Sequence, residues 1–200
     1  MPTASRAKHK FCRRIGQCLW GDPKCPSVKR PYAAGPHGKG RRSKLSTYGE
    51  LLMEKQKLRN DYAISEKQLR IAFAKAKSGE GQTHEKLFRS LEQRLDAMVY
   101  RAGFAPTIFA AKQMVNHGHI YVDGKRVDRS SCQVKEGQVI TINAEKSPKL
   151  AEVAKKNNAT VPAYMEVDLD NLKATLVRAP QVEEIPVAVK IMSVIEYYAR

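Results

Sequence analysis

The chain has 200 residues, with 36 Lys/Arg against 20 Asp/Glu, a formal net charge of +16, and 42% hydrophobic residues. That is enough apolar content for one large domain or two small ones. It holds no run of about 18 apolar residues that could span a bilayer, and no apolar segment of a secretory signal at its start. The leading segment is Arg-rich and acid-poor, as transit peptides are. But Pro2, Pro23, Pro26, Pro31 and Pro36 break any long amphipathic helix there, which argues against that reading.

The charge is unevenly spread. Residues 1–44 carry twelve Lys/Arg and one acid, Asp22, a net +11. Residues 160–200 carry four basic and six acidic residues, a net −2. A leading segment of that kind suits a polyanion, and Lys/Arg clusters interleaved with Gly and Pro are a common nucleic-acid footprint. Residues 1–43 show no hydrophobic period, and 35–42 read as a flexible basic stretch that is poorly ordered without a partner.

A first helix is predicted from Thr47, with Thr47-Tyr48-Gly49-Glu50 as its capping box and Leu51, Leu58 and Tyr62 on one face. A second starts at Ser65 and carries Leu69, Ala72, Phe73 and Ala76 at helical spacing. A third, long helix follows Thr83. Its apolar stripe is Leu87, Leu91, Leu95, Met98 and Ala102, and Gly103 closes it. A shorter helix runs from Thr107 to Asn116 and ends near Gly118.

The period then changes. Ile120-Tyr121-Val122, Asp123-Gly124 and Lys125-Arg126-Val127 read as a hairpin, because Asp-Gly supplies the positive φ angles of a type I′ turn. Glu136-Gly137 marks a second turn before a buried strand, Val139–Ile142. Lys149–Lys156 reads as a short helix. Strands are expected near Tyr164–Val167 and Thr175–Arg178, and a last helix from Val189 to Tyr198. The chain is therefore of the α+β class, without an internal repeat.

Two constellations could carry chemistry. The first is the helix–helix–hairpin segment from Leu87 to Ile142. Lys112, Gln113, Asn116, His117 and His119 cluster at the end of one helix, and Lys125 and Arg126 sit across the hairpin from the same edge. Donors held on rigid elements suit phosphate and 2′-hydroxyl contacts on folded RNA. From spacing alone, a helix stop with a polar cap fits His117-Gly118-His119 equally well. The second constellation is His9, Cys12, Cys18 and Cys25. A two-residue gap lets His9 and Cys12 chelate one zinc ion from a single turn, and the metal would stiffen an arm that has no core. Three unligated thiols and a phosphate-contacting His9 are the alternative. Cys132 stands apart as a small core or loop residue.

The run Leu91-Glu92-Gln93-Arg94-Leu95-Asp96-Ala97-Met98-Val99-Tyr100-Arg101-Ala102-Gly103-Phe104-Ala105 resembles the bacterial form of small-subunit ribosomal protein four. So do Ala111–Ile120, Val122–Asp128, Gly35–Gly38, Glu54–Arg59 and the ending Val194–Arg200. The resemblance spans nearly the whole chain, in order. It implies a basic N-terminal arm over 1–43, a helical domain over 44–86 rejoined by 179–200, and a small RNA-binding domain over 87–178. It also implies binding to the 5′ domain of small-subunit ribosomal RNA early in assembly, and a place along the messenger RNA entry channel beside ribosomal protein five. Decoding accuracy and a cytoplasmic ribosome are implied with it. An organellar ribosome fits the sequence as well.

On this reading the RNA contacts fall at Lys8, Lys10, Arg13, Arg14, Lys29, Arg30, His37, Lys39, Arg41, Arg42 and Lys44 in the arm. They continue at Lys55, Lys57, Arg59, Arg94 and Arg101, and at the Lys112–Arg126 edge already described. The resemblance also supports zinc, since some members hold a four-cysteine site in this arm. Cys12 before Arg13-Arg14-Ile15-Gly16 and Cys25 before Pro26-Ser27 match two such ligands, and His9 falls where another cysteine would be. The spacing is contracted around Cys18.

The sequence departs from the family at Pro106-Thr107-Ile108-Phe109-Ala110-Ala111, where two or three arginines are usual. Each lost phosphate contact would flatten the salt dependence of binding by about 0.7–0.9. The expectation is that Ile108 and Phe109 pack on a neighbour or a base, and that binding leans more on the arm. No nucleophile–base motif and no GxxxxGK[ST] loop is present, so an enzyme is not expected. The Leu87–Ile142 unit also occurs in RNA-modifying enzymes and synthetases, but those attach it to a much longer catalytic domain. A DNA-binding reading lacks a recognition helix with base-reading side chains.

Overall fold

The computed structural model describes residues 9–40, 44–144, 147–157 and 160–199. Lys8, Arg41 and Arg42, three of the expected RNA contacts, lie outside them. The chain divides into two compact units, residues 1–66 with 187–200, and residues 67–186. The division falls at Glu66, twenty residues before the expected end of the helical domain.

In the first unit, two short helices, α1 (Lys10–Ile15) and α2 (Pro26–Lys29), occupy the arm where no regular structure was expected. Neither follows a hydrophobic period. Each is set by a local device instead: Gly16 closes α1 at φ 84°, and Pro26 opens α2 at its first position. The 33–38 turn is also compact. A Cβ on Gly38 would lie 1.9 Å from the Ala33 carbonyl oxygen, so only glycine fits.

Helix α3 (Thr47–Asp61) starts one residue earlier in its capping than expected. Ser46, not Thr47, is the N-cap, and its hydroxyl accepts from the Gly49 N–H at 3.2 Å. Helix α9 (Ile191–Ala199) packs along α3. The Lys190 N–H donates to Glu54, and Tyr198 donates to Glu66 at 2.9 Å.

The second unit opens with α4 (Glu66–Ser78), which runs into it from Lys67, and α5 (Thr83–Glu92). The long third helix of the sequence reading is two helices. After α5 the chain turns extended at Arg94 (ψ 141°), and α6 (Leu95–Arg101) begins. The apolar stripe is continuous across this break, so the pattern could not reveal it. The cause is tertiary: the Val134 N–H reaches the Gln93 carbonyl, and the Leu95 N–H reaches the Cys132 carbonyl. A loop distant in sequence thus takes backbone bonds that a continuous helix would have used.

Helix α7 (Ile108–Asn116) is capped by the Thr107 hydroxyl and packs on α6. Five antiparallel strands follow in the order β2-β1-β3-β5-β4. They are β1 (Ile120–Val122), β2 (Lys125–Arg126), β3 (Val139–Ile142), β4 (Met165–Asp168) and β5 (Lys173–Leu176). Asp123 (φ 49°) and Gly124 (φ 76°) make the expected tight turn. Strand β5 starts two residues before its predicted position. Helix α8 (Pro148–Lys156) lies between β3 and β4 in sequence. The core gathers Leu95, Met98, Phe104, Val115, Ile120, Ile140, Tyr164 and Leu176, each at 0% exposure. Ile108, expected to reach a neighbour or a base, is 2% exposed, so its side chain is spent inside this unit. Among the described residues, no helix is long and apolar enough to cross a membrane.

Candidate functional site

The arm brings its four metal-type side chains together. The ligand atoms of His9, Cys12, Cys18 and Cys25 all lie within 4.8 Å of one another. A tetrahedral zinc with Zn–S bonds of about 2.3 Å needs its sulfurs about 3.8 Å apart, so the donor set fits after small side-chain adjustment. Cys12 and Cys25 are buried, and His9 and Cys18 half-buried. His9 Nδ1 is 3.1 Å from Cys25 Sγ, while its Nε2 faces the Asp22 carboxylate at 3.9 Å. A ligating histidine with its second nitrogen on a carboxylate is the usual support of a zinc site. Trp20 packs edge-on against the His9 ring at 5.8 Å, and its indole N–H donates to the Asp61 carbonyl. Burial, with the neighbouring thiols, pushes the Cys12 thiol up to about 11. A metal would replace that proton. Asp22 and Trp20 were not singled out from sequence; Asp22 as the lone acid of the arm was the available signal.

The basic residues sort into two groups. Lys10, Arg14, Lys29, Arg30, His37, Lys39 and Lys44 are exposed along the first 44 residues. Arg13 is not available in the same way. Its Nε donates to the Tyr32 carbonyl at 3.1 Å, its Nη2 to the Ala33 carbonyl at 3.2 Å, and the guanidinium stacks over the Tyr32 ring. It holds the 32–33 segment to α1.

Four further residues expected at the RNA have internal carboxylate partners. Lys55 is 4% exposed, pairs with Glu66 at 3.0 Å and lies over the Tyr197 ring. Lys57 pairs with Glu54 at 2.5 Å. Arg94, 5% exposed, forms a bidentate pair with Asp96 at 3.0 and 2.7 Å, and Asp96 in turn accepts the Ala97 N–H at the start of α6. Arg101 donates to Glu92, which is fully buried and also accepts the Tyr164 hydroxyl at 2.7 Å. Desolvating such cations is costly unless a carboxylate neutralises them, so each of these pairs balances its charge within the fold. Arg59 is half-buried. Glu92 was missed, although it adjoins Leu91 and follows Phe88 by four residues on the apolar stripe.

The His117–Arg126 edge does converge. Gly118 (φ 73°) turns the chain out of α7, and the His119 carbonyl accepts the Asn143 N–H beside β3. A cavity of about 170 Å³ is lined by His117, Gly118, His119, Tyr121, Arg126 and Asn143. Arg126 Nη2 donates to the His117 carbonyl at 3.4 Å. Lys125, Arg126, Gln113 and His117 are exposed; Asn116, His119 and Lys112 are half-buried. Burial lowers the Lys112 pKa against the pull of Asp96. Tyr121 and Asn143 were not expected here. Alternation along β1, with Ile120 and Val122 buried, was the signal for Tyr121; nothing in the sequence marked Asn143.

A basic edge on a helix–turn–sheet unit and a cysteine-clustered basic arm describe an RNA-binding protein of two parts. Comparison with known proteins agrees part by part. Residues 4–92 match the ribosomal protein S4/S9 N-terminal domain, and residues 93–140 match the S4 domain. The chain is 47% identical to small ribosomal subunit protein uS4 of Cereibacter sphaeroides, and 46% identical to the proteins of that name from Ruegeria pomeroyi and Paracoccus denitrificans. Each match covers 100% of both chains. The chain belongs to the uS4 family of small ribosomal subunit proteins. Those relatives are named as ribosomal proteins, not as enzymes.

Proposed function

We propose that the chain is a structural constituent of the small subunit of a bacterial-type cytoplasmic ribosome and a primary binder of the 5′ domain of its ribosomal RNA. It would nucleate assembly of that domain, help line the messenger RNA entry channel beside protein five, and so influence decoding accuracy. The observation that carries the reading is the coincidence of the matched S4 domain, residues 93–140, with the converged edge of His117, His119, Tyr121 and Arg126. The exposed cations of the arm supply sequence-independent attraction to phosphates. Full-length coverage of the ribosomal relatives favours this over the RNA-binding module of an enzyme.

In this reading His9, Cys12, Cys18 and Cys25 hold one Zn2+ that gives the arm its fold, with Asp22 supporting His9. Its role is structural, and no open coordination position is needed. RNA contact is assigned to the exposed arm cations and to the Lys112–Arg126 edge. With Pro106–Ala111 lacking arginine, the arm carries a larger share of the binding.

The test is binding of the purified, zinc-replete chain to a transcript of the 5′ domain, at several salt concentrations, against homopolymer RNA of equal length. Preference for the transcript, and travel with the small subunit through a gradient at moderate salt, are expected. Equal binding to both polyanions would refute it. Deleting residues 1–43 should cost more affinity here than in an arginine-rich relative.

A further inference from the structure

We infer that the two faces of the His117–His119 turn together hold one unpaired nucleotide of RNA, its base in an apolar groove and its phosphate beside Arg126. This rests on the RNA-binding reading above and names the RNA feature that the edge recognises.

On one face lies the polar cavity already described. On the other lies a groove of about 270 Å³ walled by Ala110, Met114, Leu150 and Val153, with Gln113 at its side. His117 and His119 line both. The groove is smaller than the roughly 300–1,000 Å³ of sites for drug-sized ligands, and it is open. Val153 is 43% exposed there, an apolar surface at the edge of a basic site.

A regular RNA helix cannot use such a pair of surfaces. It presents phosphates, 2′-hydroxyls and a shallow minor groove, and would leave the apolar walls uncovered. An unstacked base has two apolar faces and a polar rim. Its faces would lie on Leu150 and Val153 and its rim would meet the Gln113 amide, which both donates and accepts. The histidine rings, 6.1 Å apart and inclined by 52°, line both grooves as aromatic surfaces on which a base can stack. One ribose separates a base from its phosphate, and the two grooves share His117 and His119 as walls.

The polar side is preset for an anion. The Ser147 hydroxyl lies 2.6 Å from His119 Nδ1 and fixes that ring. Arg126 crosses the open side of Gly118, where a Cβ would fall 2.1 Å from its Nε. A side chain at 118 would therefore push the guanidinium out of the cavity. Ordering these groups before RNA arrives lowers the entropy cost of binding.

The test uses the full-length protein and two hairpin RNAs that differ by one unpaired 2-aminopurine in mid-stem, with the 5′-domain transcript as control. The bulged hairpin should bind about tenfold more tightly than the paired one, the effect of stacking one base, and its fluorescence should change on binding. Ala110→Gln, which fills the groove without adding charge, should erase that preference and leave the paired hairpin within about twofold; Val153→Gln, at an exposed position, should reduce it. Equal affinity for both hairpins, or a preference that survives both substitutions, overturns the inference while the transcript still binds. Loss of transcript binding itself would instead remove the RNA-binding reading.

Discussion

The arm and the sheet unit differ in what stands behind their positive charge. Among the described residues from His9 to Lys44, the buried side chains are Cys12, Cys25 and Ser27, and most cations stand in solvent. From Lys67 to Pro186 a continuous core exists, and Arg94 and Arg101 are turned into it against Asp96 and Glu92. A segment without a core can keep its charge outward, but it needs some other source of order. A segment with a core can use arginine as an internal strut. Counting Lys and Arg therefore overstates the outward-facing charge wherever an internal partner holds the cation, as at Arg94 and Arg101 in the sheet unit and Arg13 in the arm.

If the arm is ordered by its four ligands, removing them should undo it alone. Cys12→Ser, or a strong chelator, should drop bound zinc from about one per chain to near zero and open the arm to protease between residues 9 and 40. Zinc in such sites contributes on the order of 10 kcal/mol of folding free energy, the largest effect expected here. Protease cutting in the Lys67–Pro186 unit should not change. An untreated chain with well under one zinc would remove the metal from the account.

The internal struts come next. Glu92→Gln leaves the Arg101 guanidinium without its carboxylate in a buried setting and should cost about 3–5 kcal/mol in denaturant unfolding. Replacing both, Glu92→Leu with Arg101→Met, should cost much less, because the penalty lies in the unpaired charge. A Glu92→Gln variant as stable as the parent would show that Arg101 reaches solvent.

Arg126→Ala sharpens the contrast from the other side. Arg126 is exposed, so stability should stay within about 0.5 kcal/mol. The slope of log affinity against log salt should fall by about 0.7–0.9. Arg94→Ala should do the reverse, lowering stability while leaving the slope unchanged.

The smallest effect concerns the Lys55–Glu66 pair of the first unit. Burial raises the Glu66 pKa, but hydrogen bonds from Lys55 and Tyr198 and the charges of Lys55 and Arg59 outweigh it, and the net shift is downward. A depressed carboxyl contributes stability above its unfolded value of about 4.3 and loses it as the pH falls through the lower folded value. Acid titration of unfolding should thus be shallower below about pH 4.3 in Glu66→Gln than in the parent. Identical profiles would mean that Glu66 gains nothing from Lys55 in the fold.

Much of this arrangement was legible in the residues. Period-3.6 stripes marked the helices from Leu51 to Ala102. Asp123-Gly124 marked the hairpin, because its φ requirement is local. The set His9, Cys12, Cys18 and Cys25, whose ligand atoms the fold brings together, was visible as residue types before any geometry. The break at Arg94 was not, since the stripe runs straight through it and the bonds that cause it come from Gln133 and its neighbours. Nor could spacing tell which arginines face inward.

The sequence by itself determined the α+β class, the polarity of charge along the chain and the family, because these follow from local pattern and from runs of matching residues. Tertiary structure alone decided that His117 and His119 line two grooves at once, and that Lys55, Arg94 and Arg101 are paired with carboxylates. The reason is physical: whether a cation meets water, RNA or a carboxylate depends on what folds around it, and although these carboxylates lie only two to eleven residues away, the groups that pack on the pairs, such as Tyr164 and Tyr197, lie far along the chain.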